Sequence, residues 1–277
     1  MNPSTTRRIQ YKWLGMNWTL DLHPPGDVVS DCFQPPQAIG IYTWLLADQT
    51  GTFVDVGAHV GTVAIHAAPF FKDVVAFEPE ARNISCLNSN MALNKISNLR
   101  IIPKAVSYHC GVSTFYVENS GETSRNSIIP INNSRPISVE CVSLDSVFDS
   151  TTSIAYLKID VEGFETQVIN GASQIIERQS NKPVIMIEFA PGRWAQNEAS
   201  FLKFLDLLKK NYYVPLWPTS GFTAPITLEV FHQLYDLWKK LPYDCWVDLV
   251  LVPQDRSTPA HIMNAWKKAT KIFSKMS

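Results

Sequence analysis

A chain of 277 residues with 45% apolar and 18% charged side chains is long enough for one large domain or two small ones, and too apolar to be disordered. Its formal net charge of −1 sets up no global basic field of the kind that gathers nucleic acid or anionic membrane. The five cysteines, Cys32, Cys86, Cys110, Cys141 and Cys245, are odd in number and show no CxxC spacing. They read as reduced thiols of a cytoplasmic protein, not as a disulfide framework or a zinc site.

Arg7 and Arg8 precede no apolar stretch, so a signal peptide is not expected, and no run reaches the ~18 apolar residues of a membrane span. Without a secretory signal the Asn-x-Ser/Thr triplets at Asn17, Asn83 and Asn132 carry no weight. Residues 1–50 read as a small extension. YKWLGMNWTLDL suggests two strands with a turn over Gly15 to Asn17, and 35–48 suggests a short helix entered through prolines. The aromatics Tyr11, Trp13, Trp18, Tyr42 and Trp44 are expected to pack on the main domain.

From Thr52 short β-rich runs alternate with helical stretches. The strands FVDV, DVVAFEP, LRIIPKAV, SIAYLKID and PVIMIEF are almost continuously apolar, as expected where both faces are covered. After Gly163, the residues Val168, Ile169, Ala172, Ile175 and Ile176 follow one helical face; near 198–212, so do Phe201, Leu202, Leu205, Leu208 and Tyr212. This alternation predicts a mostly parallel, doubly wound sheet spanning 51–253. VSTFYVE and ISVECVSL, joined by a polar insert, predict an antiparallel pair beside the third strand, and 244–253 predicts a last strand. The tail 254–277 carries lysines without a balancing acid after Asp255. It predicts a basic helix packed through Ile262, Met263, Trp266 and Phe273, with weak membrane-surface contact as the alternative.

In an open parallel sheet, ligands sit beyond the carboxyl ends of the strands. In TFVDVGAHVG, Asp55 ends a strand, Gly57 permits a tight turn against a ligand, and Gly61 lets the following helix lie close to the strand. The helix N-terminus would offer N–H groups to an anionic part of that ligand. A dinucleotide loop would place a glycine where His59 stands, and no P-loop Gly-Lys-Ser/Thr follows. The loop suits a smaller, zwitterionic and cationic ligand, which S-adenosylmethionine is. Glu78, at the tip of the next strand, stands at the position from which a carboxylate accepts hydrogen bonds from ribose hydroxyls. In LKIDVEGFE, Lys158 and Asp160 share a strand face, and Asp160, Glu162 and Glu165 crowd around Gly163; such acids repel one another unless something cationic or protonated lies between them. Glu165 reads as a helix N-terminal acid, Asp160 and Glu162 as active-site groups. Glu188 ends a further strand on the same edge.

DVGAHVG, AFEPE, KAVS, VSLDSV and LKIDVEGFETQVINGA, in this order over residues 50–192, resemble the FkbM-type S-adenosylmethionine-dependent methyltransferases. In that family Asn is usual where His59 stands. The resemblance implies a class I, Rossmann-like methyltransferase fold: an α/β, doubly wound seven-stranded sheet with an antiparallel last strand. It also implies O-methylation, often of a sugar hydroxyl or a natural product. By motif it carries Asp55, Gly57 and Gly61 to the methionine part and Glu78 to the ribose, with Ala58, His59, Thr62 and Pro79 among the cofactor-binding residues. Lys104, Ala105 and Val106 would take the adenine, and Asp160 would face the methyl donor.

An alcohol acceptor needs a base within hydrogen-bond reach. Asp160, Glu162, Glu188 and His59 are the candidates, whereas His66, inside VAIHAA, reads as a packed core residue. Clustered carboxylates could instead hold Mg²⁺, which ranks below a metal-free base. The expected partner is a small-molecule or glycan acceptor. Nucleic acid is not expected, because no basic patch is concentrated in the core. The rival readings are an NAD(P)-dependent oxidoreductase, disfavoured by the missing glycine, and a noncatalytic S-adenosylmethionine-fold binding module.

Overall fold

The computed structural model describes residues 7–13, 16–22, 43–119, 126–130, 133–194, 198–216, 225–241 and 245–274. An antiparallel hairpin comes first, β1 (Arg7–Trp13) and β2 (Met16–Leu22). The alternation then begins with β3 (Thr52–Val56), α1 (Thr62–Ala67), β4 (Asp73–Phe77), α2 (Ala81–Leu93) and β5 (Leu99–Ile102). β6 (Ala105–Val106), β7 (Gly111–Glu118) and β8 (Ser134–Val142) form a separate small sheet, followed by α3 (Leu144–Val147). The main layer resumes with β9 (Ile154–Ile159), α4 (Glu165–Asn170), α5 (Ser173–Arg178), β10 (Val184–Phe189), α6 (Pro191–Trp194) and α7 (Glu198–Lys210). It closes with β11 (Tyr213–Leu216), α8 (Leu228–Trp238), β12 (Val247–Pro253) and α9 (Pro259–Ser274).

The main sheet has seven strands in the order β11-β12-β10-β9-β3-β4-β5. β12 runs antiparallel to both its neighbours, and the other pairings are parallel. This is the doubly wound, Rossmann-like α/β arrangement with an antiparallel last strand. The chain moves outward one way through β3, β4 and β5 and the other way through β9 and β10. The order therefore reverses between β3 and β9, where such sheets open a ligand crevice. Period-two alternation splits β3 between two cores. Phe53 joins Ile65, Leu87 and Tyr156 on one face, and Val54 and Val56 join Leu157, Val168 and Phe201 on the other.

Several local expectations shift. Met16 and Asn17, expected in the hairpin turn, already pair with Trp13 and Lys12 as strand residues. The helix expected over 35–48 falls mostly outside the described residues. Trp18 and Trp44 are buried in the main core, and Asn90 of α2 bonds to Asp21 N–H and C=O, so the hairpin is stitched onto the sheet-covering layer. β11 was not legible as a strand because Pro215 interrupts it; at the sheet edge the missing N–H costs nothing.

The single helix expected after Gly163 is two, α4 and α5, broken at Gly171, where a Cβ would come 2.2 Å from the Ser107 carbonyl oxygen. The buried stripe of α7 is Phe201, Phe204 and Leu208, with Leu205 partly buried; Leu202 and Tyr212 face solvent. In α9, Ile262, Ala265 and Ala269 face the core while Met263 is exposed. No helix among the described residues is long and apolar enough to cross a membrane.

Candidate active site

β3 ends at Val56, and the chain turns at Gly57 with φ of 81°. A Cβ there would sit 1.9 Å from the Asp160 carbonyl oxygen, so glycine lets the loops after β3 and β9 touch. Gly61 differs from expectation: a Cβ would strike Leu87 Cδ1 at 1.9 Å, so it admits α2 and not the strand. The helix that follows has only six residues, and the Gly61 N–H is bonded to Ala58 O. His59 and Glu162 both hold positive φ, 53° and 57°, a conformation that costs non-glycine residues energy and recurs at functional loops.

The crevice is lined by Gly57, His59, Glu78, Pro79, Lys104, Ala105, Val106, Asp160 and Glu162, all expected at the site. Val56, Phe77, Asn83, Phe115, Asn126, Ile128 and Val161 complete its wall. Asp55, Ala58, Gly61 and Thr62 do not line it among the described residues. Asp55 lies behind the wall, fully buried, with Oδ1 3.2 Å from Lys158 Nζ. The same ammonium reaches Asp160 Oδ2 at 3.4 Å and donates to Gly57 O. Lys158 thereby ties both loops to the strand beneath. Burial raises the Asp55 carboxyl, which Lys158 only partly offsets. The Lys158 ammonium, flanked by Asp55, Asp160 and Asp248, is held charged against its own burial.

Glu78 is 4% exposed and accepts from His59 N–H, Glu80 N–H and Asn83 Nδ2. Burial pushes its carboxyl up to about 7 despite those three donors. Asn83 spends Nδ2 on Glu78, and its buried Oδ1 has no partner among the described residues. Lys104 turns its ammonium outward to Glu140 at 2.7 Å.

Asp160, Glu162 and Glu188 converge, each offering an oxygen within 4.8 Å of the others. A cation, Arg193 of α6, lies between two of these three, its Nη1 donating to Glu162 and Glu188 at 2.7 Å each. Burial, with Asp160, Glu165 and Glu162 adding repulsion, drives the Glu188 carboxyl far up, and Arg193 offsets only part of this. Burial and the Asp160 charge likewise push Asp248 of β12, opposite Glu188, up to about 7. Glu165 is fully buried; it accepts from Val161 N–H, Gly163 N–H and Trp194 Nε1, so it shapes the loop from within.

His66 lies away from the crevice. Since Thr62 C=O can only accept, Nδ1 donates to it and Nε2 accepts from Tyr11 O–H. Burial lowers this imidazole to about 4, as befits a neutral core group. Sequence reasoning missed Arg193, Asn83, Asn126 and Asp248. Of these, Asn83 and Arg193 lie close after recognisable strand ends, Glu78 and Glu188, and could have been suspected on that ground.

A wound sheet whose crevice opens at the β3/β9 reversal, with an acid at the second strand tip, defines a nucleoside-binding α/β enzyme class. The methyltransferase FkbM domain model matches residues 55–215, more than half of the chain, and the protein belongs to this methyltransferase family. No curated protein matches it. Among solved structures, it is similar to an rRNA methylase from Streptococcus thermophilus at 12% identity, covering 80% of this chain and 98% of that one, with a TM-score of 0.44. A putative methyltransferase from Streptococcus mutans in complex with SAH matches at 10% identity over 79% and 97% of the two chains, TM-score 0.45. A T. thermophilus 16S rRNA N2 G1207 methyltransferase in complex with AdoMet and guanosine matches at 13% identity over 91% and 52%, TM-score 0.44.

Proposed function

We propose that the chain is an S-adenosylmethionine-dependent O-methyltransferase acting on a hydroxyl of a sugar, glycan or secondary metabolite. One observation carries this reading: a single crevice has a buried carboxylate, Glu78, in its wall together with the Asp160–Glu162 loop. The residues fit the donor. Glu78 and the unpartnered Asn83 Oδ1 are acceptors suited to ribose hydroxyls, Ala105 and Val106 offer an apolar wall to the base, and the Gly57 and Asp160 loops would take the methionine end. When bound, S-adenosylmethionine supplies a methyl group activated on a sulfonium.

The chain's own task is to align the acceptor and remove its proton. Asp160 has 42% of its side chain exposed and is oriented by Lys158, so it is the carboxylate best able to meet an acceptor hydroxyl. Glu162 and Glu188 are both committed to Arg193, and Glu188 retains a proton near neutral pH, which makes it a poor base. Arg193 already sets a positive charge where a divalent ion would otherwise be needed, which supports metal-free chemistry. The crevice acids Asp160 and Glu162 disfavour phosphate, which supports a neutral acceptor over nucleic acid.

Isothermal calorimetry with S-adenosylhomocysteine and with NAD, followed by labelled-methyl transfer to a panel of hydroxyl compounds with and without EDTA, tests this. Binding of the homocysteine nucleoside alone, and EDTA-resistant labelling on oxygen, are expected. No heat with that nucleoside would overturn the assignment. Binding without transfer would favour a noncatalytic module, and loss of labelling in EDTA restored by Mg²⁺ would favour a metal on the Asp160, Glu162 and Glu188 oxygens.

A further inference from the structure

Asn126 lies in the insert between β7 and β8 and is 8% exposed, although it lines the crevice. Its amide orientation is determined, because Oδ1 accepts from the Glu118 N–H at 3.1 Å and a flipped amide would oppose two donors. Nδ2 is then buried with no partner among the described residues. An amide left this way carries an uncompensated desolvation cost, which a ligand acceptor would recover. The wall around it is apolar and suits a flat ring: Phe115, Ile128, Ala105 and Val106. Lys104 also lines this wall, with its ammonium turned to Glu140.

Asn126 is also held firmly. Its neighbour Ser127 exchanges both backbone hydrogen bonds with Tyr116 of β7, and the Ser127 hydroxyl donates toward Val161 O and Glu162 O. Ile129 N–H in turn donates to that hydroxyl. Residues 126–129 thus strap the small sheet to the loop that carries Asp160 and Glu162.

Resting on the donor assignment above, we infer that Asn126 is the specificity residue for the base of the bound nucleoside, donating from Nδ2 to a ring nitrogen of adenine. The strap makes that contact rigid and joins recognition of the base to placement of the Asp160 loop. The contact is one the polar insert supplies, outside every motif of the sheet edge.

Calorimetric dissociation constants of S-adenosylhomocysteine and its 1-deaza, 3-deaza and 7-deaza analogues, on wild type, Asn126→Ala and Asn126→Asp, test the inference. Wild type is expected to bind one analogue about tenfold more weakly than the parent, the worth of one hydrogen bond. In Asn126→Ala that same penalty should vanish, with the parent itself weakened about tenfold. Asn126→Asp keeps the Glu118 contact, turns an acceptor to the ring, and should bind more weakly still. Equal binding of all four nucleosides by wild type overturns the inference without needing either variant to fold. A penalty unchanged in Asn126→Ala also overturns it, while leaving the methyltransferase reading standing. Failure of wild type to bind the parent nucleoside overturns both.

Discussion

Replacing Glu78 by glutamine removes a charge that the crevice wall holds at a cost. The carboxyl is raised from 4.5 to about 7 by burial. An acid whose folded value exceeds its unfolded one contributes stability that is whole below the unfolded value and is lost as pH rises through the folded one. At about 1.4 kcal/mol per unit, the ionised side chain costs the ligand-free protein about 3 kcal/mol at pH 8 and less than about 1 kcal/mol at pH 5. Glutamine never ionises, but one of its two terminal atoms is a donor. It must therefore oppose either the His59 N–H or the pair Glu80 N–H and Asn83 Nδ2, at roughly 1–3 kcal/mol independent of pH. Absolute stabilities could therefore cross, and the slope is what discriminates. Urea unfolding of both proteins at pH 5, 6, 7 and 8 should show wild type losing about 2 kcal/mol more than Glu78→Gln across that range. Asp248 and His66 titrate in both proteins and cancel in the difference. Parallel stability curves would refute the argument that Glu78 is held protonated by burial. The same logic makes S-adenosylhomocysteine binding to wild type strengthen as pH rises through about 7 and then level off, because ribose hydroxyls favour the ionised acceptor.

Asp160→Asn should lower kcat by about 10²–10⁴-fold while leaving the melting temperature and S-adenosylhomocysteine affinity nearly unchanged, read by thermal shift and calorimetry once an acceptor is found. Arg193→Met strands Glu162 and the buried Glu188 without their shared donor. Because Glu188 already holds its proton, the loss is that of its hydrogen bond from a charged donor, about 1–3 kcal/mol by urea unfolding at pH 7. Gly57→Ala forces a Cβ onto the Asp160 carbonyl at a φ of 81°, and should cost at least about 2 kcal/mol and abolish nucleoside binding, checked by unfolding and calorimetry.

Much of this molecule follows from short-range pattern. β3, β4, β9 and β10 are legible because a strand buried on both faces must be apolar along its length. The acids Asp55, Glu78, Asp160 and Glu188 stand out because each interrupts such a run at its carboxyl end, where the chain must reach a ligand. The glycines at 57 and 61 were legible as a tight loop, but not what each admits. The Asp160 carbonyl meets Gly57 only once β3 and β9 are neighbours, and Leu87 meets Gly61 only once α2 packs.

The seventh strand hid behind Pro215, whose place at the sheet edge is a property of the assembled sheet. Likewise the buried stripe of α7 keeps Phe201 and Leu208 but takes in Phe204 in place of the exposed Leu202. Apart from the Lys158–Asp160 pair on one strand face, the charge balance of the crevice belonged to the tertiary structure. Glu162 and Arg193 are 31 residues apart, and Lys158 and Gly57 are 101 apart. Burial raises Glu78, Asp248 and Glu188 only once the layers close over them. Sequence fixes which groups exist and where the chain turns, because those depend on neighbours along the backbone. Solvation and pairing depend on neighbours in space, so only folding decided which acids stay charged and which amide waits for a partner.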